Sequence, residues 1–262
     1  METHMIFETH AHYDDDAFNE DREILLDSMN ENGIGYIVNA CASLESLKET
    51  EELTKKYPFV YGAFGIHPDD AEKMTEDTLQ EIRRLVRLPK AVAIGEIGLD
   101  YYWHKEEQEH AVQKKMFLAQ MEIAREEKMP FMIHSRDAAK DTLDIVKDCM
   151  SGGMYGGIIH CFSYGKEMAR EYLNMGLYLG IGGVVTFKNA KKLKEVVEYA
   201  PLEQLVLETD SPYLSPEPNR GKRNSSLNLP YVAEMIAELK GVSKEEVIAV
   251  TEENAKRLLL RK

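Results

Sequence analysis

At 262 residues, 44% of them hydrophobic and 30% charged, the chain can form one barrel or two small domains, and its core needs no disulfide staple. Its formal net charge of -14 has the wrong sign for coating nucleic acid by charge alone, though not for an enzyme that grips a few phosphates through metal ions. Cys41, Cys149 and Cys161 form no CxxC pair, and no apolar run approaches the roughly 18–20 residues of a membrane span, so a reduced, soluble, cytoplasmic chain with no obligate protein partner is expected.

Short β-rich runs alternate with helical patterns from end to end. The runs are Met5–Thr9, Gly35–Ala40, Val60–Ile66, Val92–Ile97, Pro130–His134, Gly157–His160, Leu177–Ile181 and Gln204–Glu208. Between them lie amphipathic stretches such as Asp21–Asn32, Thr75–Arg87 and Glu106–Lys128, with apolar residues at helical spacing (Leu79, Ile82, Val86; Met116, Ala119, Ile123). A last helix is predicted from Ser243, with Glu246 completing a capping box, to Leu258. Eight strand–helix repeats without a long linker favour a single-domain (β/α)8 TIM barrel over residues 1–262; a doubly wound sheet is the rival. Met1–His4 reads as an N-terminal extension ahead of Met5.

The reactive residues gather at the ends of these runs. His10 and His12 end the first, Glu96 the fourth, His134 the fifth, His160 the sixth and Asp210 the eighth. Barrel enzymes build their sites on that face from several strands. In His10-x-His12 both imidazoles lie on one side of a strand, because side chains alternate with period two, and two neighbouring imidazoles can share a metal ion. Glu96 can bridge two ions, His134 and His160 can ligate the second, and Asp210 can ligate the first and accept a proton from a bound water. Packing needs alone do not put six such groups on one rim, since buried carboxylates and imidazoles are costly unless paired or metal-bound. His4 has the parity of His10 but lies too far down the strand to join it, and His104 and His110 are expected in solvent. Glu208 reads as support for Asp210 or as a satisfied core group.

Other groups point to the substrate. His67 ends the third run as a substrate contact or a loop anchor, and Arg136 is a phosphate contact or an ion-pair partner. Gly180, Gly182 and Gly183 close the seventh run, and Arg220-Gly221-Lys222-Arg223-Asn224 follows the eighth; loops there often hold phosphate in this fold. Arg220 and Lys222 are the expected contacts. Tyr101, Tyr102 and Trp103 either stack on a base or pack on the rim.

From Met5 onward the chain resembles the TatD-type metal-dependent deoxyribonucleases, a branch of the amidohydrolase-like barrels. The likeness is carried by Glu8-Thr9-His10-Ala11-His12, Gly65-Ile66-His67-Pro68, Gly95-Glu96-Ile97-Gly98-Leu99-Asp100-Tyr101, His134-Ser135-Arg136 and His160-Cys161-Phe162-Ser163. It continues through Thr186-Phe187-Lys188-Asn189, Glu208-Thr209-Asp210-Ser211-Pro212-Tyr213-Leu214 and Arg220-Gly221-Lys222-Arg223-Asn224. The resemblance implies two divalent ions (Mg²⁺, Mn²⁺ or Zn²⁺), one on His10, His12, Glu96 and Asp210 and the other on Glu96, His134 and His160. It also implies 3′–5′ exonuclease action on single-stranded DNA, with Asp210 and Glu96 catalytic. Asn219, Ser225-Ser226 and Tyr164 depart from the usual pattern, which touches substrate contacts rather than metal ligands. The rivals are an amide or lactone hydrolase, disfavoured because the fourth run offers Glu96 and no inward lysine to carboxylate, and a non-catalytic metal- or DNA-binding protein.

Overall fold

The computed structural model describes residues 4–260; of the expected extension, residues 1–3 lie outside that range. Eight parallel strands follow one another in chain order: β1 (Ile6–Ala11), β2 (Ile34–Ala40), β3 (Val60–Ala63), β4 (Ala91–Asp100), β5 (Phe131–Arg136), β6 (Gly157–Ile159), β7 (Tyr178–Ile181) and β8 (Leu205–Leu207). The helices are α1 (Arg22–Asp27), α2 (Leu44–Lys56), α3 (Glu76–Leu85), α4 (Glu107–Glu126), α5 (Ala139–Ser151), α6 (Lys166–Asn174), α7 (Lys191–Tyr199), α8 (Leu229–Lys240) and α9 (Lys244–Leu259). The strand order never reverses, so the fold is the (β/α)8 barrel and not a doubly wound sheet. The elements fall into two compact units.

One unit holds β7, β8, β1 and β2 with α1 and α6–α9. β8 pairs with β7 from Leu179↔Leu205 to Ile181↔Leu207. The segment after β8 then runs beside β1, with Asp210 N–H donating to His10 O (3.0 Å), His12 N–H to Ser211 O (2.8 Å), and Ala11 bridging Ser211. Tyr13, Phe7, Phe18 and Leu26 are fully buried here, each stabilising by roughly 1.5–3 kcal/mol relative to exposure. Helix α9 packs on β1 and β8, where the Asn254 amide donates to Leu202 O and Leu205 O (both 2.8 Å). Ser243 caps α9 by accepting from Glu246 N–H (3.0 Å), the serine half of the expected box. His4 Nδ1 pairs with Glu252 (2.9 Å).

The other unit holds β3–β6 with α2–α5. Two of its strands run further than the sequence suggests, whereas β3 stops at Ala63, short of the expected Ile66, and β6 at Ile159. β4 continues past Glu96 to Asp100, and β5 past His134 to Arg136, through Gly98↔His134, Leu99↔Ser135 and Asp100↔Arg136. Gly98 makes this possible: at φ +147° a Cβ there would lie 1.9 Å from His134 O. Glu96 is therefore inside β4, and Asp100 ends it.

Helix α4 also differs from its expected face. It buries Gln113, Phe117, Gln120, Met121, Ile123 and Ala124, leaving Met116 and Ala119 half-buried. The two glutamines, two turns apart, act as backbone surrogates. Gln120 accepts from Ile66 N–H (2.8 Å) and donates to Ile66 O (3.0 Å). Gln113 does the same for Asp100 (3.0 and 3.1 Å). Backbone groups at the ends of strands must be paired when buried, and these amides pair them.

Gly98→Ala should destabilise the protein by at least about 2 kcal/mol, since the added methyl must displace backbone. Urea unfolding of the variant against wild type checks this.

Candidate metal centre

In the first unit the β1 side chains at alternate positions, Glu8, His10 and His12, are all buried. His10 Nε2 and His12 Nε2 stand 3.2 Å apart. Asp210 Oδ1 lies 3.3 Å from His12 Nε2 and 3.9 Å from His10 Nε2. Asp210 occupies the left-handed region (φ +57°), a conformation uncommon outside glycine that its hydrogen bond to β1 holds in place.

Glu8, to which sequence reading gave no role, sets this arrangement. Its carboxylate accepts from His10 N–H (3.0 Å), Thr209 N–H (2.9 Å), Thr209 Oγ1 (2.7 Å) and Ser226 Oγ (2.9 Å). It thereby ties the residue before Asp210 to the strand that carries both histidines. Burial pushes the Glu8 pKa up to about 8 against the lowering effect of these donors. Its parity with His10 was the signal available in the sequence. Glu208 is fully buried and accepts from Cys161 N–H (2.6 Å). A Cβ on Gly180 would lie 2.1 Å from Glu208 Oε2, so that glycine makes room for the carboxylate. Glu208 and Asp210 line one pocket, together with Cys161, Ser163, Gly182 and Leu214.

In the second unit Glu96 Oε1 faces three imidazoles: His134 Nδ1 at 2.9 Å, His160 Nε2 at 3.5 Å and His67 Nε2 at 3.8 Å. Glu96 is 3% exposed and His160 4%. His67 is a loop anchor as well as a member of this group. Its Nδ1 accepts from Asp69 N–H (3.2 Å) at the start of the 3-10 helix Pro68–Lys73, and its ring lies 4.3 Å from that of His134.

Asp100 is the second residue that sequence reading left without a role, although it shares Glu96's parity on β4. Its Oδ2 meets His134 Nε2 at 3.1 Å, while Oδ1 accepts from Tyr102 N–H (2.9 Å) and Trp103 N–H (3.0 Å). His134 thus stands between two carboxylates, Nδ1 toward Glu96 and Nε2 toward Asp100. Burial works to lower its pKa, but the bonds to Asp100 and Glu96 outweigh this and push it up to about 9. Burial would raise Asp100, but His134 and the Trp103 N–H prevail and hold its carboxyl below the usual range.

The remaining predicted contacts are on loops and strand ends. Arg136, at the end of β5, lies 4.0 Å over the Tyr102 ring. Arg220 lies 4.2 Å over the Phe187 ring, with Nη1 3.9 Å from Glu217. Lys222 is exposed on the same loop, and its carbonyl accepts from Ser215 Oγ. Arg223 is committed elsewhere, donating to both carboxylate oxygens of Asp21 (2.8 and 2.6 Å). His104 and His110 are half-buried rather than fully in solvent. His104 sits between Asp69 (3.0 Å) and Glu109 (3.2 Å), and His110 stacks on Tyr101 at 3.6 Å. Tyr101 donates to Asp141 (2.8 Å), so it packs the loop, whereas Tyr102 and Trp103 remain exposed.

The donor sets suit divalent ions. Ligand atoms about 2.1 Å from a tetrahedral ion stand about 3.4 Å from one another, close to the spacing of His10, His12 and Asp210. Mixed imidazole and carboxylate donors suit zinc or manganese better than magnesium, which prefers oxygen.

The pH dependence of the metal-free protein follows from the two raised pKa values. Glu8 contributes stability that is lost as pH rises through about 8, and His134 stability that is lost as pH rises through about 9. Thermal melts of metal-free protein should therefore fall in Tm from pH 6 to pH 9, and Glu8→Gln should flatten the lower part of that slope. A melt that rises over this range contradicts the assignment.

A family model described as TatD related DNase matches residues 7–260. The Bacillus subtilis protein named uncharacterized metal-dependent hydrolase YabD is 44% identical, over 97% of this chain and 98% of its own. The 3′-5′ ssDNA/RNA exonuclease TatD of Citrobacter rodentium is 34% identical, over 86% of this chain and 87% of its own. Among solved structures, the TatD homologue YJJV of Escherichia coli K12 superposes with a TM-score of 0.90 at 27% identity, covering 98% of each chain. The chain belongs to the TatD family of metal-dependent hydrolases.

Proposed function

We propose that this protein is a metal-dependent nuclease that removes nucleotides from the 3′ end of single-stranded DNA, using two divalent ions. His10, His12 and Asp210 hold one ion; Glu96, His134 and His160 hold the other. The observation that carries the reading is the convergence of donor atoms in each set: two imidazole nitrogens and a carboxylate oxygen in one, and imidazoles gathered on a single carboxylate oxygen in the other. The named activity of the Citrobacter relative supports nucleic acid as the substrate.

When bound, the ions supply Lewis acidity, which makes water a nucleophile near neutral pH and offsets charge on phosphoryl oxygens. Asp210, half-buried and lining the pocket, takes the proton from the attacking water on its carboxylate. Asp100 fixes the His134 ring so that Nδ1 is the nitrogen offered on the Glu96 side. Arg220 and Lys222, on the loop after β8, grip backbone phosphates, and His67 contacts the substrate beside Glu96. Arg136 acts at the end of β5.

Digestion of end-labelled single- and double-stranded DNA and RNA with several metals tests this. The expected result is 3′-end loss, fastest on single-stranded DNA. Efficient hydrolysis of cyclic amides or lactones with no nucleic-acid cleavage would contradict it. Glu96→Ala should abolish turnover, and Asp210→Asn should lower kcat by about 10²–10⁴-fold, the range for a lost general base. Both should keep the wild-type circular dichroism spectrum. Wild-type nuclease rates in either variant would sink the assignment.

A further inference from the structure

Trp103 is 65% exposed and Tyr102 42% exposed, on the loop that follows β4. Their rings stand 4.7 Å apart, edge to face at 84°. Arg136 lies 4.0 Å over Tyr102 and 5.6 Å from Trp103, and Lys105 Nζ is 5.2 Å from the Tyr102 ring. Leaving such rings in water forgoes roughly 1.5–3 kcal/mol of burial each. The backbone beneath them is nevertheless fixed, because both amides donate to Asp100 Oδ1. The same carboxylate holds His134 through its other oxygen. One side chain therefore sets both the orientation of a proposed metal ligand and the position of an exposed aromatic pair.

We propose that Trp103, flanked by Tyr102 and Arg136, is a stacking subsite for an unpaired nucleobase of the strand being cut. The inference rests on the nuclease reading and names the part of the substrate that this loop takes. A base offers a flat apolar face to Trp103, and Arg136 and Lys105 favour the polyanion that carries it. The acids Glu106 and Glu107 follow immediately in the chain. Paired bases present no free face, and the subsite thereby selects single strands.

Trp103 is the chain's one tryptophan, so its emission reports the subsite directly. A phosphorothioate oligothymidylate, which resists cleavage, should quench that emission on binding to the metal-loaded protein. The same strand with abasic 3′ positions should bind without quenching. Trp103→Ala should raise KM for a cleavable single strand about tenfold, within the range for loss of one stacked base. It should also remove the preference for that strand over its abasic counterpart, and Trp103→Phe should restore most of that preference. Binding seen by anisotropy of a labelled strand with unchanged tryptophan emission would overturn the proposal. So would a Trp103→Ala protein that keeps the wild-type preference. If no nucleic acid is bound or cut at all, the nuclease reading fails, and this subsite with it.

Discussion

A buried carboxylate faced by three imidazoles is the interaction on which the second unit's architecture turns. An ionised carboxylate removed from water costs several kcal/mol unless it is paired. Glu96 meets that demand through His134, His160 and His67, drawn from β5, the end of β6 and the loop after β3. Those three segments must then end at one level beside β4. The demand extends along β4 to Asp100, which grips the far side of the His134 ring. Gly98 lies between the two carboxylates and lets β5 come close enough for His134 to reach both. The first unit meets the same constraint differently. There burial outweighs the backbone and hydroxyl donors around Glu8 and pushes its pKa up to about 8, so the side chain keeps its proton near neutral pH while it works as a clamp that carries Thr209 and Asp210 to β1.

Much of this was legible in the sequence because it follows from periodicity. Alternating strand and helix patterns gave the barrel, and the x-spacing of His10 and His12 gave two imidazoles on one face. The less legible parts depend on pairing rather than pattern. The extra length of β4 and β5 is written in a glycine whose use appears only when the neighbouring carbonyl is in place. The buried face of α4 is only partly legible in the apolar spacing, because Gln113 and Gln120 are polar and fall outside it. They are buried because each satisfies both backbone groups of a strand end or the loop after it. Glu8 and Asp100 carried a parity signal, but acids that serve by holding other residues look the same in sequence as acids that bind metal. In the basic loop after β8, Arg223 is committed to Asp21, a partner remote in sequence that the run of basic residues does not reveal.

The charge distribution fits an enzyme that holds its substrate locally. A net charge of -14 disfavours long-range attraction of a polyanion. On the nuclease reading proposed above, capture falls to short-range contacts: an aromatic surface, a few guanidinium and ammonium groups, and the ions proposed for the two donor sets. Asp100 links these layers, since the carboxylate that orients His134 also fixes the backbone of Tyr102 and Trp103.

The central claim is that the two donor sets hold metal. It is tested most directly by elemental analysis of the freshly purified protein, with Glu96→Ala alongside. About two transition-metal equivalents per chain are expected, as for two imidazole–carboxylate sets, with a loss of metal when Glu96 is removed. Less than one equivalent in wild type after reconstitution, or a Glu96→Ala protein that retains the full complement, would contradict it.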